Sequence, residues 1–201
     1  MCLAIVRNPA RSIMARIMLS IGVVALCWAL GAATLWVTQS LFANDQISWR
    51  DFSSAQGRYS IIMPGAPDDQ TLTIDTTAGP IDKHLALFEN RSGAFVVIYA
   101  DYPASLARQA DPQQLLDDER DNAIAATKGA LFNERRLALD GHPGREIKID
   151  IPGDGALPAG VMTVRYYLVG DRLYEITVVT PKTRPAPDIT QKFLDSFQLT
   201  P

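Results

Sequence analysis

An uncharged, apolar stretch near the N-terminus constrains this chain more than any other feature of its sequence. Residues 17–37 form a run of 21 residues without a charge, and the next charged residue is Asp45. As an α-helix with a rise of ~1.5 Å per residue, this run is roughly 31 Å long, close to the ~30 Å hydrocarbon core of a bilayer. We therefore expect a transmembrane helix at residues 17–37 that anchors the chain in a membrane.

Two alternative interpretations of this stretch remain open. A cleavable signal peptide also places basic residues before an apolar core, but that core is typically ~7–15 residues long. The best cleavage site here follows Ala43 and has Leu41 at a position that favours a small residue. The other alternative is lipidation of Cys27, with Leu26 at a position where a bacterial lipobox has Gly or Ala. We prefer a retained anchor.

The charges that flank the apolar run predict its orientation. Arg7, Arg11 and Arg16 are the charged residues before it, and Arg50 is the basic residue within the fifteen positions after it. By the positive-inside rule, residues 1–16 are cytoplasmic. Residues 38–48 then form a tether, and residues 49–201 form an exported domain that is periplasmic or extracellular.

The composition after residue 44 is that of a soluble domain. Of these 157 residues, 65 are apolar, or 41%, against 30 of the first 44, and 41% is ordinary for a globular protein. The same 157 residues carry 16 basic and 22 acidic side chains, for a net charge of −6. An acidic chain without a basic cluster argues against nucleic-acid binding. Both cysteines, Cys2 and Cys27, precede this region, which excludes disulfides and thiolate metal sites from the domain.

Alternating apolar and polar residues predict about eight strands, mostly joined by hairpins. The clearest alternation places Arg145, Ile147, Ile149 and Ile151 on one face of a strand. Residues 95–99 are apolar on both faces, as in a central strand covered on both sides. Hairpin connections imply antiparallel pairing.

Two helices complete the predicted elements. The first begins with Asp111 as N-cap and Pro112 at the first helical position, and it ends before Gly129. Its charged residues 117–121 are expected to face solvent. The second is short and begins at Asp188. We therefore expect an α+β domain with a twisted antiparallel β-sheet flanked by helices, as an α/β/α sandwich.

Several of these elements resemble the PsbP-like superfamily, which is named for an extrinsic subunit of photosystem II. The resemblance is carried by the strand and Pro-Gly turn at residues 59–65 (YSIIMPG), one central helix, a late hairpin, and the terminal residues 193–199 (FLDSFQL). It covers residues 49–199. It implies an α/β/α sandwich that docks onto larger complexes or assists their assembly, and it supplies no catalytic residue.

Candidate ligand residues centre on the two histidines. His84 shares strand parity with Asp82, so the pair offers nitrogen and oxygen ligands on one face. His142 lies beside Asp140 in a turn rich in Gly and Pro. A small-ligand or metal-binding module at His84 and Asp82 is therefore one alternative function. A hydrolase built from His142, Asp140 and a distant serine is another.

Aromatic and basic residues would suit a protein interface if Tyr167 and Tyr102 are exposed together. Tyr167 falls on the same strand face as Arg165, and Tyr102 follows an earlier strand. Tyr and Arg are enriched in protein interfaces. The anchor, the lack of a nucleophile and base pair, and the PsbP-like resemblance lead to our main hypothesis, an anchored, non-catalytic domain that binds a partner protein and requires no cofactor.

Overall fold

The computed structural model describes residues 47–76, 79–103, 111–153 and 159–201. The predicted cytoplasmic segment 1–16, the predicted membrane helix 17–37 and nearly all of the tether 38–48 lie outside these residues. Within the part of the chain that is described, no helix combines the length and the apolar character needed to cross a bilayer.

Ten strands and two helices make up the described residues. In chain order they are β1 (Arg50–Ser54), β2 (Tyr59–Met63), β3 (Asp68–Thr76), β4 (Gly79–Asn90), β5 (Gly93–Asp101), α1 (Pro112–Thr127), β6 (Ala130–Leu139), β7 (His142–Ile151), β8 (Gly160–Val169), β9 (Arg172–Pro181), α2 (Pro187–Asp195) and β10 (Gln198–Leu199). The predicted start of α1 is confirmed: the Asp111 side chain accepts a hydrogen bond from the backbone N–H of Gln113, as an N-cap does.

The strands form two separate sheets. Seven strands make a large sheet in the order β3-β4-β5-β9-β8-β7-β6, and β1-β2-β10 make a small one. Every neighbouring pair in both sheets is antiparallel, as the hairpin pattern predicted. Asp140 and Gly141 have positive φ angles of 51° and 82° at the β6–β7 turn, as a two-residue hairpin with a type I′ turn requires.

The small sheet and α2 cover one face of the large sheet, which we call the front face. The core between them contains buried side chains from β2, α2 and the segment after α2, among them Tyr59, Met63, Phe193 and Phe197. Helix α1 covers part of the opposite face, the back face. There Leu115 and Leu116 pack in one cluster with apolar residues of β7, β8 and β9.

The expected α/β/α sandwich is wrong. Strands account for 58% of the described residues, and the front face is covered mainly by a second sheet, with the short α2 beside it. The sequence pattern did not indicate that sheet because β1 reads RDFSS, with Phe52 as its one apolar residue. Its other edge strand, β10, has two residues. Strands this short and polar show no alternation to detect.

Candidate functional site

The predicted pair of Asp82 and His84 lies near the edge of the large sheet, on the front face of β4. Their partners in register are Thr73 and Thr71 of the edge strand β3. The Thr73 hydroxyl donates to Asp82 Oδ1 at 2.7 Å. The Thr71 hydroxyl is hydrogen-bonded to His84 Nδ1 at 3.0 Å. Both side chains therefore connect β4 to its neighbour across the surface of the sheet.

His84 also begins a row of rings that crosses four strands. Successive partners in register are His84 on β4, Tyr99 on β5, Tyr174 on β9 and Tyr167 on β8, and we call these four residues the aromatic row. The His84 and Tyr99 rings stack with centroids 4.6 Å apart and planes 17° apart. Phe197 stacks on Tyr167 with ring centroids 6.0 Å apart, and Tyr167 is 5% exposed.

Arg172 packs on Tyr99, the second residue of this row. Its guanidinium carbon lies 4.7 Å from the centroid of the Tyr99 ring, within the range of a cation–π contact. Two of its N–H groups donate to the Asp101 carboxylate at 2.6 and 2.7 Å, and a third donates to the Gln56 carbonyl at 2.8 Å. These hydrogen bonds from Arg172 lower the pKa of Asp101. The β1–β2 turn is thereby held against the large sheet.

The surroundings of the two histidines bear on the metal and hydrolase hypotheses. Among the described residues, no group of three or more His, Cys, Asp or Glu side chains is arranged to hold a metal ion. His142 stands at the start of β7, paired with Leu139 in the β6–β7 hairpin. Asp140 lies in the exposed turn of that hairpin.

Arg165 lies in an ion network on the front face. It is 6% exposed, and its Nε donates to Glu146 Oε2 at 2.7 Å while its Nη1 lies 2.8 Å from Asp195 Oδ1 of α2. Arg135 of β6 donates to both oxygens of Glu146 at 2.8 and 2.9 Å. Burial raises the pKa of Glu146, but the hydrogen bonds from Arg135 and Arg165 outweigh it, so the pKa is lowered overall. We call these four residues the Glu146 network.

Tyr102 lies elsewhere. It packs in the back-face core beneath α1 and donates its hydroxyl proton to Glu119 Oε1 at 2.6 Å. Tyr167, in contrast, belongs to the front-face core. The structure thus brings His84 and Tyr167 into the same row of side chains and Arg165 onto the same face, whereas Tyr102 does not share a surface with them.

The expectation that the charged residues of α1 all face solvent is wrong for Glu119. It was expected on the solvated face of α1, but it is 1% exposed. Its spacing contained the signal, because Leu115, Glu119 and Ala123 recur every four residues and all three are buried. A residue on that stripe must face the sheet.

Glu119 belongs to a group of polar side chains on the back face, the back-face cluster. Its members are Lys83, Tyr102, Glu119 and Glu175, and three of them are buried while Tyr102 is half-buried. Glu175 accepts a hydrogen bond from the Thr177 hydroxyl at 2.9 Å. Burial raises the pKa of Glu119 to about 7, against the opposing effects of Lys83 and of the Tyr102 hydrogen bond.

The fold now permits comparison with known proteins. No family model matches the sequence, and no curated protein matches it. Solved structures do match. One is the solution structure of cyanobacterial PsbP (CyanoP) from Synechocystis sp. PCC 6803, with a TM-score of 0.52 and 15% sequence identity over 79% of this chain and 95% of that chain.

This likeness assigns the chain to a class of fold. At 15% identity it establishes shared architecture and no more. The chain therefore has the PsbP-like fold that its sequence resembles, and that resemblance is confirmed. The residues described above are what this fold positions in this particular chain.

Proposed function

We propose that this chain is a non-catalytic accessory protein that binds a partner protein, with its folded domain outside the cytoplasm and residues 17–37 as its membrane anchor. The PsbP-like fold supports the proposal, because the structural match extends over 95% of the cyanobacterial PsbP chain. The family resemblance implies docking onto larger complexes or assistance in their assembly. The charge and length of the N-terminal region support the anchor.

The contacts of the candidate residues carry the non-catalytic part of the proposal. His84 stacks on Tyr99 and is hydrogen-bonded to Thr71, and Arg165 is ion-paired twice. Tyr102 donates its proton within the back-face core. These side chains join strands and helices to one another, which is the role of structural residues.

Edge strand β6 is the surface that we assign to the partner. Among the described residues, Phe132 is the large hydrophobic residue that is exposed to solvent, at 57%. It lies where the β6–β7 register shifts between Leu131 and Asn133, in a bulge. An open strand edge offers backbone hydrogen bonds to an added strand, and an exposed aromatic ring offers an anchor for it.

Co-purification of the full-length chain from its native membranes tests this proposal. We expect a partner protein at constant stoichiometry with the wild-type chain, and a several-fold lower recovery with Phe132→Ala. Gln114→Ala, an exposed position on α1, is the matched control and should recover the partner normally. Recovery of the chain alone would contradict partner binding. Release of the chain by alkaline extraction of the membranes would contradict the anchor.

A further inference from the structure

The back-face cluster brings ionisable groups from several elements into the contact between α1 and the large sheet. β4 supplies Lys83, the segment after β5 supplies Tyr102, β9 supplies Glu175 and α1 supplies Glu119, and beside the cluster lie Tyr166 of β8 and Asp118 of α1. β7 presents Arg145, which is paired with Asp117 and Glu134.

The positive and negative charges of this cluster do not balance when both of its carboxylates are ionised. Lys83 is the cation that acts on both Glu119 and Glu175. If both carboxylates are ionised, one negative charge is left without a compensating cation among the described residues, in a site where Glu119 and Glu175 are 1% and 5% exposed. An unpaired buried charge is costly. One added proton removes it.

The hydrogen bonds of Glu119 lead to the same conclusion. Its Oε1 accepts the Tyr102 proton at 2.6 Å. Its Oε2 is buried and has no hydrogen-bond partner within the described part of the chain. Leaving a buried oxygen without a partner costs more when it carries charge than when the group is neutral. Glu119 is therefore the member of the cluster that gains most from protonation.

We propose that one proton, held by Glu119 and influenced by Glu175, controls how tightly α1 packs on the large sheet. With the proton bound, the cluster is neutral and α1 is closed on the back face. When the proton leaves, the negative charges of Glu119 and Glu175 repel each other beneath the helix. Helix α1 then opens more often.

The direction of the pH dependence follows from burial. Burial raises the pKa of Glu119 from its ordinary 4.5 to about 7, and it also raises the pKa of Glu175. For a carboxyl group with a raised pKa, its contribution to stability is fully present below the ordinary value and is lost as pH rises through the folded-state value. The closed helix is thus favoured in mild acid and weakened above neutral pH.

Hydrogen exchange of the full-length protein tests this inference. After correction for intrinsic exchange, we expect the opening of residues 112–127 to increase on the order of tenfold between about pH 5.5 and 7.5. Glu119→Gln should remove that dependence. Asp121→Asn, an exposed carboxylate on the same helix, should retain it. A wild-type helix whose opening is independent of pH, or a Glu119→Gln variant that keeps the dependence, would overturn the proposal.

A second measurement needs no substitution. Protein with ¹³C-labelled glutamate carboxyls should show one resonance that titrates near neutral pH, well apart from the exposed glutamates. If every glutamate titrates near its ordinary value, the inference is refuted even where Glu119→Gln fails to fold. Neither measurement involves the partner, so failure here is distinguishable from failure of the proposed function.

Discussion

Replacing Glu146 by Gln tests whether the Glu146 network stabilises the front face. Glu146 is buried between two arginines that differ sharply in exposure: the side chain of Arg165 is 8% exposed and that of Arg135 is 51% exposed. Glu146→Gln keeps the shape of the side chain but removes its charge. The buried guanidinium of Arg165 then retains Asp195, which is 55% exposed, as its ion-pair partner.

The expected cost follows from burial. Removing one partner of a buried ion pair typically costs about 3–5 kcal/mol, because the other charge is left uncompensated. Since Asp195 remains, we expect the lower end, about 3 kcal/mol. For Arg135→Ala we expect about 0–1 kcal/mol, as for a solvent-exposed pair, because Arg135 is half-exposed and Glu146 keeps Arg165 as its partner. The double variant Glu146→Leu with Arg165→Met should lose less than the sum of its single changes, since the charges left without these partners, on Arg135 and Asp195, are exposed to solvent.

Denaturant and thermal unfolding of the purified full-length protein measure these differences. For a domain of this size, 1 kcal/mol corresponds to roughly 2–4 °C in Tm. Glu146→Gln should therefore lower Tm by roughly 6–12 °C, and Arg135→Ala by no more than roughly 2–4 °C. Equal losses for the two variants would refute the argument that burial decides the cost.

Acid provides an independent check of the same network. The lowered pKa of Glu146 means that its charged form is favoured in the folded state. Its contribution is present above its ordinary pKa of 4.5 and is lost as pH falls through the folded value. The stability difference between wild type and Glu146→Gln should shrink as pH is lowered from neutral to below about 4.5. A difference that stays constant over that range would show that charge is not the cause.

Two further substitutions probe the elements that surround the network. Gly144→Ala should lower the free energy of unfolding by about 1–3 kcal/mol in denaturant titrations. An added Cβ would lie 2.4 Å from the Tyr167 ring and 2.7 Å from the Tyr166 carbonyl oxygen. An unchanged free energy would mean that the strand relaxes freely there. Asp111→Ala should cost about 1 kcal/mol by removing the N-cap of α1, and unchanged unfolding would show that the cap is dispensable.

Local patterns in the sequence identified the elements that depend on neighbouring residues. The Asp111-Pro112 pair predicted where α1 begins, since capping is decided within a few residues. The alternation at Ile147 and Ile149 predicted a buried strand face, and both side chains are fully buried. These predictions hold because each depends on residues that are close together in the sequence.

Features set by distant partners were not predictable in the same way. The aromatic row depends on the registers of β4, β5, β9 and β8, which bring residue 84 into line with residue 167. The ion pair between Arg165 and Asp195 depends on how α2 lies over the sheet. Alternation shows which way a side chain points but does not identify the strand or helix beside it. For this reason the sequence suggested candidate residues but did not predict which side chains they contact.

The pairing within the small sheet affects the order in which this protein can complete its fold. Strand β2 lies between β1, near the start of the described chain, and β10, at its end. The Thr200 N–H donates to the Arg58 carbonyl at 3.0 Å, so the closing contacts join residues about 140 positions apart. The front-face tyrosines are therefore not fully covered until the segment around Phe197, which contacts Tyr167 and Tyr174, has reached the sheet. Removing residues 197–201 would uncover the part of that aromatic surface on which Phe197 packs.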